Sequence, residues 1–192
     1  MDLFEYLSIS EESVIKTLYL IRHAKSDWSD GDLSDFERGL KKRGLRDLET
    51  MSSYLSLQGL KPDLILSSLA LRAQITAVEL GKKIGYGGRI HYMEELYSSR
   101  PETLMNVLTL QDDSYGSIFL VGHNPELTEF ANFLIDENFL KMPTLGVLAL
   151  RLDIDSWADI AERCGEIEFF IQPKQFRYYV PKQIRTTLDY GV

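Results

Sequence analysis

One cysteine, Cys164, stands among 192 residues. No disulfide can close within the chain, which excludes the disulfide-stapled secreted scaffolds and fits a reducing compartment. Basic residues are in deficit, with 21 Lys plus Arg against 29 Asp plus Glu and a formal charge of −8. Nucleic-acid binding rests on Lys and Arg displacing counterions from phosphates, so nucleic acid is not an expected partner. No apolar run approaches the ~20 residues of a membrane span. The N-terminal stretch carries Asp2, Glu5, Glu11 and Glu12 and lacks the basic start and apolar segment of a secretory leader. A cytoplasmic protein that does not bind membranes is expected. Internal repeats, low-complexity tracts and Pro/Gly/Ser-rich linkers are missing too. So is a Gly-x-x-x-x-Gly-Lys phosphate loop, because the glycines at 85–88 precede a strand pattern and read as a turn.

What remains is ordinary globular composition, 44% hydrophobic and 26% charged, long enough for one domain spanning residues 1–192. Short β-branched runs at 17–21, 63–67, 89–93, 117–121, 146–152 and 166–171 alternate with segments of helical period. Such alternation predicts an α/β fold with a mostly parallel sheet. Leu45, Leu48, Met51 and Leu55 make one helical stripe, ending near Gln58-Gly59. Ala73, Ala77, Leu80 and Ile84 make a second, Leu104, Val107 and Leu108 a third, and Leu127, Phe130, Ala131 and Leu134 a fourth. The core is expected at about 17–173. Residues 1–16 form an N-terminal extension, and the tail 174–192 is read as packed along the domain rather than as a docking patch.

The placement of polar residues carries the functional information. Arg22-His23 follows the first strand, Ser67-Ser68 and then Arg72 the second, Glu94-Glu95 the third, and Gly122-His123-Asn124-Pro125 the fourth. In an open parallel sheet the carboxyl ends of the strands share one edge, where ligands bind. Two His, two Arg and an acid are thereby delivered to one crevice. Forked, permanently charged guanidiniums match a phosphate dianion, and helix starts near Ser68 and Pro125 add backbone donors. One imidazole can attack phosphorus as a nucleophile, while the second, if protonated, shares the charge of the transferring oxygens. With Arg and His neutralising that charge, no metal or other cofactor is called for.

Each group also has a plainer role to weigh. His91 lies within a strand among polar neighbours and is left as structural. Arg72 alone reads as a surface ion-pair partner, and Glu94-Glu95 reads equally as a solvated loop. A metal bound by His23, His123 and nearby carboxylates is opposed by Arg22 and Arg72 on the same edge. Cys164 sits in no motif.

The residues Leu18-Tyr19-Leu20-Ile21-Arg22-His23-Ala24 resemble the strand and Arg-His-Gly motif of the histidine phosphatase superfamily, with Ala in place of Gly. The closer likeness is to its small phosphohistidine phosphatase branch, the SixA type. It is carried by Ser34-Asp35-Phe36-Glu37-Arg38 with Leu40 and Arg43-Gly44, by Lys61 to Ser68, by Leu71-Arg72-Ala73, by Glu95-Leu96-Tyr97 and by Val121-Gly122-His123-Asn124-Pro125. The chain departs from the family at Ser67-Ser68-Leu69, where Pro is usual after the two serines, and at Gln74-Ile75-Thr76, where Arg-Gln-Thr is usual. Neither departure removes a charged group.

This resemblance implies a three-layer α/β/α sandwich of the phosphoglycerate mutase-like kind. It implies His23 as the phosphorylated nucleophile, Arg22, Arg72, His123 and Asn124 as phosphoryl-binding groups, and Glu95 as the acid that protonates the leaving group in larger relatives. The short stretch from Glu95 to Ser117 leaves no room for a covering insertion, so the crevice should be open and suited to a phosphorylated protein side chain, phosphohistidine in particular. No obligate partner is expected. A small-molecule phosphomonoesterase and a non-catalytic phosphoprotein-binding module are the alternatives.

Overall fold

A computed structural model describes residues 15–97, 100–136, 138 and 141–176. The expected extension is therefore outside the described residues up to position 14, and the expected tail from position 177 onward. Six strands form one sheet in the order β3-β2-β4-β1-β5-β6. They are β1 (Lys16–Arg22), β2 (Leu64–Ser68), β3 (Ile90–Met93), β4 (Ser117–Gly122), β5 (Val147–Leu152) and β6 (Gly165–Ile171). Pairings β3-β2, β2-β4 and β4-β1 are parallel, whereas β5 runs antiparallel to both β1 and β6. The sheet is thus mostly parallel, with one reversed strand near its far edge.

Alternation along the central strands decides how the helices sit. Leu18 and Leu20 of β1, Leu64 and Leu66 of β2, and Ile118 and Leu120 of β4 face one side. There they pack against α3 (Pro101–Thr109) and α4 (Glu126–Leu134) through Leu104, Leu108, Leu127 and Phe130. Ile21, Ile65, Phe119 and Val121 face the other side. They meet α1 (Lys42–Leu57) and α2 (Leu71–Ile84) through Leu48, Met51, Leu55, Ala73, Ala77 and Leu80. Strands buried on both faces read as continuous apolar runs, which is why the runs stood out in the sequence. The result is the expected α/β/α sandwich.

Local sequence explains the details. In α2, Ala73 and Ala77 let the helix lie close on β2, and Gly85 closes it in the left-handed region at φ 73°. In α1 the stripe differs from expectation: Leu45 is largely exposed, and its place is taken by Gly44, which is buried against the backbone of Lys25. Helix α1 approaches the loop after β1 so closely that only a residue without Cβ fits, and this rotates Leu45 outward. Phe176, in the short α5 (Pro173–Phe176), packs its ring against Tyr54 of α1 at 4.9 Å. No helix among the described residues is long and apolar enough to cross a membrane.

Candidate active site

Register brings the two histidines together. Arg22 at the end of β1 pairs with Gly122 at the end of β4, so His23 and His123 leave adjacent parallel strands side by side, ring centroids 5.0 Å apart. The amide of His23 donates to the Gly122 carbonyl at 3.0 Å, which holds the two exits in step. From the first turn of α2, Arg72 enters between the rings: its Nε donates to His23 Nε2 at 3.3 Å and its Nη2 to His123 Nδ1 at 3.2 Å. Thr76, one helical turn on, links the same elements. Its Oγ1 accepts from the Ala24 amide at 3.0 Å and donates to the Arg72 carbonyl at 2.7 Å. The departure at Gln74-Ile75-Thr76 thus keeps a hydroxyl that ties the loop after His23 to α2.

Hydrogen bonding sets the tautomers. His23 Nδ1 lies 2.7 Å from the Ala24 carbonyl, which can only accept, so Nδ1 carries the hydrogen and Nε2 the lone pair. His123 Nδ1 receives Arg72, so its Nε2 carries the hydrogen, 2.8 Å from Ser68 Oγ. Burial, the largest cause, together with Arg72 and Arg22 lowers the His23 pKa to about 4, against a smaller opposing effect of the Ala24 bond. Burial and then His23 and Arg72 lower that of His123 to about 3. Both rings are neutral at neutral pH. The lone pair of His23 thus lies on Nε2, where it accepts from Arg72 Nε, and the His123 ring carries no charge.

Arg22 lies along the other side, with Nη1 on the Met142 carbonyl at 2.9 Å and a buried Nε that has no protein partner. Burial foremost, then Arg72, lowers its pKa, with Glu126 opposing. Asn124 Nδ2 donates to the same Met142 carbonyl at 2.9 Å, and its Oδ1 is left without a partner. Arg22, His23, Arg72, His123 and Asn124 line one cleft of about 410 Å³, together with Lys25, Ser26, Trp28, Asp35, Glu126 and Thr144.

Glu95, expected as the acid, does not line this cleft. It is exposed, like Glu94, on the 3-10 turn Glu94–Leu96. That turn buries Leu96 in the core and sends Tyr97 toward the site, edge-on to His123 at 5.4 Å. The acids that line the cleft are Asp35 and Glu126. The sequence does not single out Asp35 as a site residue, because nothing in it says that the long loop after β1 folds back over α2. Its Oδ2 accepts from Arg72 Nη2 at 2.8 Å and from Tyr97 Oη at 2.9 Å, and its carbonyl accepts from Arg72 Nη1. The Asp35 pKa is lowered: burial is the largest single influence and opposes the shift, but the Tyr97 hydrogen bond and Arg72 together outweigh it.

His91 sits exposed on the edge strand β3, away from the cleft. Among the described residues, no group of three or more His, Cys, Asp or Glu side chains is arranged to hold a metal ion. The cleft thus gathers the Arg22 and Arg72 guanidiniums and the His23 and His123 imidazoles, with the Asp35 and Glu126 carboxylates beside them.

Comparison with known proteins agrees with that geometry. The model of the histidine phosphatase superfamily (branch 1) matches residues 18–98. An uncharacterised Mycobacterium tuberculosis protein is 29% identical over 167 residues, covering 80% of this chain and 100% of the relative. A chloroplastic Arabidopsis thaliana protein, also uncharacterised, is 29% identical over 164 residues, covering 81% of this chain and 75% of its own. Among solved structures, one from Agrobacterium tumefaciens with a proposed assignment as the phosphohistidine phosphatase SixA superposes with a TM-score of 0.71 at 29% identity. It covers 82% of this chain and 98% of that one. The protein histidine phosphatase SixA complexed with tungstate shares the fold, with a TM-score of 0.73 at 20% identity over 83% of this chain and 99% of its own. These likenesses support a phosphatase. The family pattern over residues 18–98 and the fold shared over four-fifths of the chain make this protein similar to the histidine phosphatase superfamily and to its SixA-type structures.

Proposed function

We propose that the protein is a metal-independent phosphatase that removes phosphoryl groups from phosphohistidine in proteins through a phosphohistidine on His23. The observation that carries this reading is the His23 ring itself. Its Nδ1 is fixed on the Ala24 carbonyl, and its Nε2 lone pair accepts from Arg72 Nε in a cleft also lined by Arg22 and Lys25. In the first step Nε2 attacks phosphorus, the bond from phosphorus to the leaving atom breaks, and the electron pair departs with the leaving group. Arg22 and Arg72 neutralise the equatorial oxygens, and the Nε2–H of His123 is a further donor in the cleft. Water then attacks the phosphorylated His23, which releases orthophosphate and returns the lone pair to Nε2. An incoming phosphate competes for Arg72 with its present partners, so binding rearranges this one side chain.

An imidazole leaves more readily than an alkoxide, because it departs neutral once the ring is protonated. A cleft without an acid at position 95 therefore suits a phosphoramidate better than an alkyl ester. The test is turnover of a phosphohistidine peptide beside sugar and nucleotide phosphates, with and without EDTA. We expect hydrolysis of the phosphohistidine peptide, unaffected by EDTA, at a kcat/KM above the ester substrates. Preference for one small ester would move the reading to a small-molecule phosphomonoesterase. Tight phosphopeptide binding without turnover would move it to a binding module, and activity lost to EDTA and restored by Zn²⁺ or Mn²⁺ to a metallohydrolase.

A further inference from the structure

The loop between β1 and α1 is built as a rigid arm over the cleft. Its base is pinned by the Ser26–Leu40 bridge and by the Asp27 amide on the Gly39 carbonyl at 2.9 Å. At its crest, Ser34 and Glu37 lock a single 3-10 turn, Ser34 Oγ donating to Glu37 Oε2 at 2.6 Å. Beyond the base of this arm, Trp28 and Asp35 line the cleft. Asp35 lies across the Arg72 guanidinium from His23 Nε2, its side chain 42% exposed, with Oδ1 accepting from Arg38 Nη1 at 3.3 Å. Trp28 is 59% exposed, with the Arg38 guanidinium stacked on its ring at 3.8 Å. A large exposed indole beside a phosphate site has no role in binding phosphate, and neither does a carboxylate, whose charge opposes the dianion. Both suit the group to which the phosphate is attached.

We propose that Asp35 and Trp28 form the leaving-group subsite, with the Asp35 carboxylate accepting the N–H of the protonated phosphoimidazole ring and Trp28 flanking the ring's face. This rests on the phosphohistidine reading above and gives it a specificity element. In phosphohistidine, one ring nitrogen bears phosphorus and the other bears hydrogen when the ring is protonated. A carboxylate facing that N–H favours the protonated ring, a charge-assisted contact. When His23 Nε2 bonds to phosphorus, the P–N electron pair returns to the ring. The ring departs neutral with its hydrogen still on the far nitrogen, so Asp35 gives up and takes no proton. Alkyl and aryl esters offer no N–H and gain nothing from the contact.

The experiment compares kcat/KM for a phosphohistidine peptide with kcat/KM for p-nitrophenyl phosphate in the same preparation, so that the ratio is independent of the folded fraction. Asp35→Asn keeps an oxygen for Arg72 and Tyr97 but loses the charge. We expect the ratio to fall about ten- to a hundredfold, the range of a hydrogen bond to a charged group, and Trp28→Ala to lower it in the same direction. A ratio unchanged in Asp35→Asn, both activities falling together, overturns the proposal and leaves Asp35 as a positioning residue for Arg72. A ratio unchanged in Trp28→Ala overturns the indole's part. Wild-type protein that turns over p-nitrophenyl phosphate but no phosphohistidine peptide overturns the function reading itself, a result distinct from both.

Discussion

At the scale of single residues, the site depends on two imidazoles kept neutral by burial and by neighbouring guanidiniums. In an unfolded chain each would titrate at an ordinary value near ~6.5, whereas the folded values are about 4 for His23 and about 3 for His123. Between pH 6.5 and about 4 the unfolded state therefore binds more protons than the native state, and stability falls as the pH falls through that window. The slope is about 1.4 kcal/mol per pH unit for each proton in excess. With the rings 5.0 Å apart, the two groups titrate as a coupled pair. Urea unfolding from pH 7 to pH 4.5 should show a marked decline for the wild type and a flatter line for the His23→Gln/His123→Gln double variant. Parallel lines would contradict the assigned protonation.

At the scale of elements, α1 closely approaches the loop after β1, two residues beyond His23. A Cβ on Gly44 would lie 2.5 Å from the Lys25 carbonyl oxygen, and that oxygen also receives the Lys41 amide at 2.9 Å. Gly44→Ala must push apart two backbones that cannot yield as a side chain would. We expect it to destabilise the protein by about 1–3 kcal/mol in chemical denaturation, as overpacking does, and an unchanged midpoint would refute this account of the contact. The same region shows what the sequence could and could not tell. Strands buried on both faces and the Ala-rich stripe of α2 are strong periodic signals, so the sheet and helices were legible. The ends of β1 and β4 followed directly, which is why Arg22, His23, Arg72, His123 and Asn124 were anticipated and were found together in one cleft. Leu45 and Glu95 fared differently because their orientation is set by tertiary contacts. The approach at Gly44 turns the first outward, and the burial of Leu96 leaves the second on the surface. Asp35 and Tyr97 were invisible for the same reason: a loop's return path carries no periodicity.

At the scale of the whole molecule, a chain with a formal charge of −8 carries a cleft lined by Arg22, Arg72 and Lys25 as well as Asp35 and Glu126. The far field opposes a small dianion and the near field holds it. Screening acts mainly on the far field, since the Debye length shrinks to about 8 Å at physiological salt. We expect kcat/KM for a small dianionic ester to rise as ionic strength goes from about 10 mM to about 150 mM, and kcat/KM for a Lys-rich phosphohistidine peptide to fall over the same range. The opposite pair of trends would show that the local cations govern encounter.

The proposed reaction centres on His23 as the group that takes up the phosphoryl group. The direct measurement is rapid quench of the protein with phosphohistidine peptide into denaturant at alkaline pH, followed by mapping of the phosphorylated residue by mass spectrometry. The account predicts an acid-labile, base-stable phosphoryl group on His23 within the first turnover, and in His23→Ala no label and at least about a thousandfold lower turnover, the scale of losing a covalent nucleophile. A label elsewhere, or a His23→Ala protein that turns over phosphohistidine as fast as the wild type, would contradict it.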